Sequence, residues 1–577
     1  MTNLDAIVGT TLARLRAEHF TERLWARDPS LWKTEPEHQR IISNSLGWLT
    51  VPQLMLARLD DLLQFVEEVR GAGYRHAVVL GMGGSSLCPD VCRVTFGTAP
   101  GYLELHVLDS TVPACVAGVE EEIDVPNTLF LVSSKSGGTV ESLSFFKYFY
   151  ERVRQTKGEA AGENFVAITD PGTSLEMLAH ELRFRRVFPG QIDIGGRYSA
   201  LSNFGMVPAA LAGVDVRQLL ERAQGMARAC SPDVPPAENP GISLGVLLAE
   251  AARAGRDKLT VVMSAGIYTF GDWVEQLVAE STGKEGVGIL PVIREYVGDR
   301  LAYEDDRVFV HMCVAGETKR IAKSRLKTLE SVGHPVVRIT LEDKYDLGKE
   351  FFRWEIATAT AGALLGINPF DQPNVQECKD HTHRLLGEFR AQGRLPEGEP
   401  RAVFEDVKFY CGSPGGGEGA AQGEVTPASG AECVAAFLAQ AQPGSYIALL
   451  PYLEPTSTHK AAIQAFRLQV RDGLRLATTV GYGPRYLHST GQLHKGGPTT
   501  GLFILITADD KEDLAIPGEP YTFGVLKQAQ ALGDFEALRS KGWPVVRFHL
   551  GRHTHAGLDH LTNFVKKAVA EIRRRRD

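Results

Sequence analysis

The strongest constraint on the fold is a recurrence of short, continuous apolar runs, each stopping at small or polar residues and followed by a helix-length amphipathic segment. Ala77 to Leu80, Leu103 to Leu108, Thr128 to Val132, Phe165 to Thr169 and Phe184 to Phe188 have this form. Continuous rather than alternating hydrophobicity belongs to strands buried on both faces, so the runs predict an α/β architecture with a mainly parallel sheet between helical layers. Residues 1 to 70 place Leu12, Leu15 and Phe20, then Leu54, Leu56, Leu59, Leu62, Leu63 and Val66, at helical spacings and are expected to cover part of that sheet. The Pro-rich passage Ser231 to Pro236 suggests a linker. Beyond it the alternation restarts with Leu259 to Met263, Arg307 to Met312 and Val336 to Thr340, which predicts a second lobe and a cleft between the two. A Gly-, Ser-, Pro- and Glu-rich stretch, 412 to 430, is expected to be a flexible loop. Strands are predicted after it at Tyr446 to Leu450, Leu502 to Thr507 and Val545 to Leu550, with helices near 459–473, 524–541 and 557–576. Three strands make a thin sheet, so this last segment is expected to pack on the second lobe. The resulting divisions are 1–240, 241–385 and 386–577.

Composition narrows the class. The 577 residues carry 62 Lys and Arg against 70 Asp and Glu, a net charge of −8 that gives no global reason to bind nucleic acid or an anionic membrane. The run Arg573 to Arg576 ends a helical pattern, where cations suit the dipole. No stretch approaches the roughly 20 apolar residues needed to span a bilayer, and the N-terminus lacks a signal-peptide core, so a cytoplasmic enzyme is expected. Eight cysteines without a CxxC pair argue for reduced, structural thiols. Cys88 and Cys92 are one helical turn apart but have no histidines nearby at ligand spacing, and no metal site is assigned.

Several loops could carry chemistry. Leu129 to Ser142 reads as strand, loop and helix, and it presents Ser134, Lys135, Ser136 and Thr139 where a helix begins. Unpaired amides and the helix dipole there suit a phosphate, although a polar turn would look the same. Gly81 to Leu87 superficially suggests a dinucleotide fingerprint, but Ser86 stands where a third glycine is needed and Asp109 comes too late. Gly84 and Ser85 fit a compact sugar phosphate better, unless the glycines merely permit tight strand-to-helix packing. Arg197 sits on the turn Gly195 to Ser199 and could stabilise an oxyanion. Along Phe270 to Lys284, Glu280 lies at the border of an apolar stripe, as suits a general base, with Gln276 one turn earlier on the same side. Pairing of Glu280 with Lys284 at i+4 is the alternative. Asn368 to Pro373 looks like a helix start, with Lys379 two turns beyond Gln372 on one face. Tyr486 to Gly497 places His488 and His494 in a Gly-rich loop, either one a plausible proton shuttle.

Together these segments resemble the glucose-6-phosphate isomerase family, whose two lobes are sugar isomerase (SIS) domains. Gly81 to Ser85 is similar to that family's first glycine loop and Ser134 to Thr139 to its phosphate loop. Gly195 to Ser199 resembles its Gly-Gly-Arg segment, Gln276 to Lys284 its glutamate segment, Asn368 to Lys379 its lysine segment and Leu487 to Gln492 its histidine segment. The order departs from the usual one, since the histidine segment here follows the lysine segment by more than 100 residues. In this respect the chain resembles the isomerase half of transaldolase/glucose-6-phosphate isomerase fusion proteins. The resemblance implies two SIS-type α/β/α lobes and metal- and cofactor-free aldose–ketose isomerisation through a cis-enediolate. It also implies a homodimer with a site completed by the partner chain. The implied roles are phosphate holding for Gly84, Ser85, Ser134, Lys135, Ser136 and Thr139, and substrate binding for Gln276. His488 and Lys379 would open the ring, Glu280 would move the proton and Arg197 would stabilise the intermediate. The alternatives are a non-catalytic SIS-type sugar-phosphate binder or an isomerase of another phosphosugar.

Overall fold

The computed structural model describes residues 4–317, 320–411 and 428–576. Its first sheet contains β1 (His76–Gly81), β2 (Glu104–Leu108), β3 (Thr128–Ser133), β4 (Phe165–Thr169) and β5 (Arg186–Pro189) in the order β2-β1-β3-β4-β5. Every pairing in it is parallel. β3 is buried at each position, as its unbroken apolar run requires, and Phe130 at its centre stacks on Phe149 and Phe165 at 4.8 and 5.1 Å. β5 begins two residues later than the apolar run suggests. Arg183 has φ +53, and Phe184 leaves the strand line to pack on Phe146 and Phe165.

The second sheet, also parallel throughout, has the order β7-β6-β8-β9, with β6 (Lys258–Met263), β7 (Leu290–Val292), β8 (Arg307–Val314) and β9 (Val336–Leu341). β7 escaped the sequence pattern because it is three residues long and contains Pro291, which an edge strand tolerates. The Pro-rich passage proves to be a turn between helices Val216–Ala229 and Pro240–Arg253. Both helices pack on Leu347–Leu365 in one apolar core that includes residues of both lobes. A Cβ on Gly245 would lie 2.4 Å from the Ala357 carbonyl, so glycine is what lets these helices close.

The C-terminal segment differs most from expectation. It forms a six-stranded sheet, β10-β11-β15-β14-β12-β13, in place of three strands. β12 (Tyr446–Tyr452), β14 (Gly501–Thr507) and β15 (Val545–His549) were legible as apolar runs; β10 (Ala402–Phe404), β11 (Val407–Cys411) and β13 (Ala477–Val480) were not. β10 and β11 form a hairpin whose two turn residues, Glu405 and Asp406, have φ +50 and +65. That is a turn normally signalled by Asn-Gly, so Glu-Asp hid it. The sheet has its own core and leans on both lobes, not on the second alone. From its connecting helix Phe523–Ser540, the residues Phe523, Leu526, Ala529 and Leu532 join Val78, Leu80 and Phe130 in the core of the first sheet. Arg467 donates to the Ile293 carbonyl of the second lobe at 3.0 Å. Most of the Gly-rich stretch 412–430 lies outside the described residues. Among the described residues no helix is long and apolar enough to cross a membrane.

A chain of rings joins the N-terminal helices to the lobes. Trp32 meets Phe370 at 5.1 Å, Phe370 meets Tyr198 at 5.3 Å, and Tyr198 meets Trp48 at 5.3 Å. Trp48, fully buried, also touches Phe352. Trp48→Ala should therefore cost about 3–5 kcal/mol, as for other buried Trp truncations. Denaturant unfolding checks this, with Trp48→Phe expected to cost clearly less; equal losses would mean that the ring contacts do not matter.

Candidate active site

The two loops singled out in the sequence leave adjacent strands at the same edge, since Gly81 of β1 and Ser133 of β3 are in register. Carboxyl edges of parallel strands are where ligands bind in open α/β sheets. In the first loop Gly83 has φ +55, and a Cβ there would lie 2.9 Å from both Gln276 Nε2 and the His488 carbonyl. A Cβ on Gly84 would lie 2.1 Å from the Gly196 carbonyl. These glycines thus do more than pack a strand on a helix. They let the Gln276 helix, the His488 loop and the Arg197 turn meet at one point, with Ser85 buried beside them.

In the second loop the Ser134 and Thr139 hydroxyls bond each other at 2.8 Å, and Ser136 Oγ accepts from Gly138 N–H at 3.4 Å. Thr139 is the N-cap of helix Val140–Lys157 but gives it no side-chain cap. The first-turn amides are therefore left to other acceptors, the arrangement that favours an anion. Lys135 is not a free cation, because its ammonium engages the Asp170 carboxylate and, at 3.1 Å, the Gln191 carbonyl. Burial raises the Asp170 carboxyl above its ordinary range even against the pull of Lys135.

Arg197, 3% exposed, is the most heavily held side chain of the site. Its Nε donates to Ser281 Oγ at 2.8 Å, Nη1 to Gln372 Oε1 at 3.1 Å, and Nη2 to the carbonyls of Pro369 and Asp371 at 2.7 and 2.8 Å. Nη1 also lies 3.2 Å from Glu280 Oε1. The other Glu280 oxygen accepts from Gln276 Nε2 at 3.0 Å, and the same nitrogen donates to the His488 carbonyl at 2.8 Å. Gln276 and Glu280 therefore share a face of helix Phe270–Thr282, as their spacing predicts.

The i+4 pairing of Glu280 with Lys284 does not form. Lys284 instead binds Asp371 at 2.8 Å and the Asn368 carbonyl at 2.6 Å. Burial, reinforced by the Arg197 charge, lowers its ammonium to about 7. The segment Asn368 to Pro373 is accordingly not the start of a helix. Asn368 turns the chain by accepting from Phe370 N–H at 3.0 Å, the carbonyls at 369 and 371 are taken up by Arg197, and helix Val375–Gln392 begins after Pro373. Gln372 is thus outside the helix that carries Lys379, and Lys379 itself is exposed.

His488 ends the short 3₁₀ turn Arg485–His488 of the C-terminal segment, and its Nε2 donates to Glu141 Oε1 at 3.0 Å. Glu141 also accepts from Gln530 Nε2 at 2.7 Å. Burial pushes the Glu141 carboxyl up, but the charge and hydrogen bond of His488, with a smaller pull from Lys379, bring it below its ordinary value. His494, the other candidate, is buried among Tyr446, Tyr486 and Phe503, and its Nδ1 shares a 2.9 Å hydrogen bond with the Tyr446 hydroxyl. Burial and the neighbouring Lys495 push its imidazole down to about 3, so it stays neutral at working pH. A cavity of about 1110 Å³ is a different place. It opens on the other side of helix Phe270–Thr282 and is lined by Asp272, Glu275, Arg294 and Arg485, not by Glu280 or Gln276.

Comparison with known proteins bears on this constellation. Residues 48–306 match the Phosphoglucose isomerase family profile. A glucose-6-phosphate isomerase of Carboxydothermus hydrogenoformans is 28% identical over 422 residues, 62% of this chain and 90% of that protein. One of Rubrobacter xylanophilus is 29% identical over 402 residues, 60% of this chain and 90% of that protein. Over these residues the chain is similar to the phosphoglucose isomerases. A crystal structure of a hypothetical protein from Thermus thermophilus shares the fold, with a TM-score of 0.56 and 24% identity over 68% of this chain and 99% of that one.

The phosphoglucose isomerase match contains both loops, Arg197, Gln276 and Glu280, whereas Lys379 and His488 fall outside it. Geometry alone brings His488 to the others. It also adds Glu141, which the sequence did not single out. Its position in the first turn after the 134–139 loop was a visible signal, but its partner lies 347 residues away. Because the Glu141 carboxyl is depressed below its ordinary 4.5, the pair's stabilisation is fully present above that pH and lost as pH falls through the folded value. Thermal unfolding across a pH series should show the wild type above Glu141→Gln in the neutral range, with the gap closing below about pH 4.5. A gap that does not change with pH would contradict the pairing.

Proposed function

We propose that this chain interconverts glucose 6-phosphate and fructose 6-phosphate by proton transfer through a cis-enediolate. The observation that carries the proposal is the convergence on Glu280 of a buried guanidinium, Arg197, and of Gln276, which ties it to the His488 loop. A carboxylate base beside a fixed cation suits proton abstraction next to a carbonyl, because the charge that develops on oxygen meets a donor already in place. His488, backed by the Glu141 carboxylate, is arranged as an acid–base group for ring opening, and Lys379 assists from the exposed helix face. Ser85, Ser134, Ser136, Thr139 and the amides around Gly84 hold the phosphate, so that binding energy remote from the reacting carbons orients the sugar. Lys135 supports that loop through Asp170. Each step is a proton transfer or a charge stabilisation that these side chains supply.

The order of segments, with histidine after lysine, supports an architecture like that of the isomerase half of the transaldolase fusions. A cytoplasmic setting fits a substrate whose charged phosphate keeps it from crossing a bilayer unaided. A homodimer fits the family resemblance, but dimerisation is not needed to bring His488 to Glu280, since one chain supplies both.

Glu280→Gln should lower turnover by about 10²–10⁴-fold in a dehydrogenase-coupled assay from fructose 6-phosphate, while the thermal shift induced by that substrate persists. Isomerisation at the wild-type rate would sink the mechanism. Specific activity should also stay constant on dilution through any dimer dissociation followed by light scattering. Activity that falls with the dimer would show that the partner contributes to the site.

A further inference from the structure

At the opposite end of β1 from the glycine loop lies a cluster that the isomerase site does not use. β1 and β2 are neighbours with His76 opposite Glu104 and Val78 opposite His106. Residues two apart on a strand share a face, so His76, Glu104 and His106 all project from the face that also bears Val78 and Leu108. The two imidazole centroids are 5.5 Å apart. His76 Nδ1 and His106 Nε2 are both buried and have no hydrogen-bond partner among the described residues. Glu104 Oε2 lies 3.8 Å from His76 Nδ1, and one donor atom from each of the three residues can be chosen so that all lie within 4.8 Å of one another. Glu122, the last residue of helix Pro113–Glu122, reaches over the same face and places Oε2 3.3 Å from His106 Nδ1.

Two buried ring nitrogens without partners need an explanation, and Glu122 supplies the direction of one. A carboxylate on Nδ1 fixes the tautomer that leaves the Nε2 lone pair free, which is how metal-bound histidines are oriented. Bonds of about 2.0–2.2 Å to nitrogen and carboxylate oxygen put tetrahedral donor atoms about 3.4 Å apart. Glu104 is exposed, so its side chain can swing in to close the remaining gap. Two imidazoles and one carboxylate suit a borderline divalent ion such as zinc, not magnesium or calcium, which prefer oxygen donors.

We propose that His76, His106 and Glu104 bind one zinc-class divalent cation, with water completing the shell and Glu122 as a positioning residue. The site clamps edge strand β2 to β1. Five residues of strand, about 16 Å, separate it from the glycine loop, so it takes no part in isomerisation.

The test uses the full chain without an affinity tag, stripped with chelator and dialysed against Zn²⁺, with bound metal measured by elemental mass spectrometry. One zinc per chain and a rise of a few degrees in unfolding temperature are expected, with no rise in Mg²⁺. The His76→Ala/His106→Ala double variant should lose that zinc. Glu122→Gln should weaken it about 10–100-fold while leaving the unfolding temperature of the metal-free protein unchanged. Co²⁺ in place of zinc should give the visible absorption of a low-coordinate site, reporting on the wild-type protein whether or not the double variant folds. Failure to bind a stoichiometric ion at a tenfold excess of Zn²⁺, or equal binding by the double variant, would overturn the site. Activity that vanishes with chelator would overturn its separation from the reaction.

Discussion

The site depends on one buried guanidinium. Arg197 is nearly inaccessible, yet it touches Ser281, Glu280, Gln372 and two backbone carbonyls drawn from segments more than 80 and 170 residues away. Burying a charge is costly unless it is paired and fully hydrogen-bonded. Here the contacts lie on two segments remote from Arg197 in the chain, so paying that cost requires the first lobe, the helix of Glu280 and the 368–373 loop to be in register at once. A lysine could not replace this set, because three donors on a flexible stem cannot match a rigid fork aimed in several directions. The same contacts that make the ion tolerable also leave it little freedom to follow substrate, which is what preorganised stabilisation of an oxyanion needs.

Around that cation the backbone approaches itself more closely than side chains allow. Gly83 and Gly84 bring the β1 loop against Gln276, the His488 carbonyl and the Gly196 carbonyl. The loop is thus a hub for three segments. The two acidic groups of the site differ in their partners. Glu280 faces a permanent cation and an amide, whereas Glu141 faces an imidazole and an amide.

Much of this was legible in the sequence because it is local. Continuous apolar runs marked the buried strands, and loops at their ends placed Ser134, Thr139 and Gly84 without any knowledge of tertiary contacts. Helical spacing put Gln276 and Glu280 on one face. What failed was either short or non-local. β7 and β10 are three residues each, and the Glu405-Asp406 turn lacks the residues that usually announce positive φ. The pairing of Glu280 with Arg197 and not Lys284, and the different surroundings of His488 and His494, turned on contacts between segments far apart in the chain. No periodicity encodes those. His494 and His488 sit in the same Gly-rich stretch, and only tertiary packing separates an imidazole buried among aromatic rings from one paired with Glu141.

The place of the histidine segment in the fold has a physical explanation in how it is held. Tyr486, two residues before His488, hydrogen bonds to Asp534, and Lys495 forms a 2.6 Å ion pair with that same carboxylate. Cys378, next to Lys379, also donates to it at 3.3 Å. Asp534 belongs to helix Phe523–Ser540, which supplies Gln530 to Glu141 and packs into the core of the first sheet. A buried Lys–Asp pair contributes little net stability, because desolvation offsets its attraction, but it discriminates strongly against any packing that leaves one partner alone. The histidine loop is therefore held through Tyr486 and Lys495 by an anchor on a C-terminal helix that itself packs into the core of the first sheet. Chain order becomes irrelevant once such an anchor exists, and a C-terminal sheet with its own core can deliver His488 to a site built by residues hundreds of positions earlier.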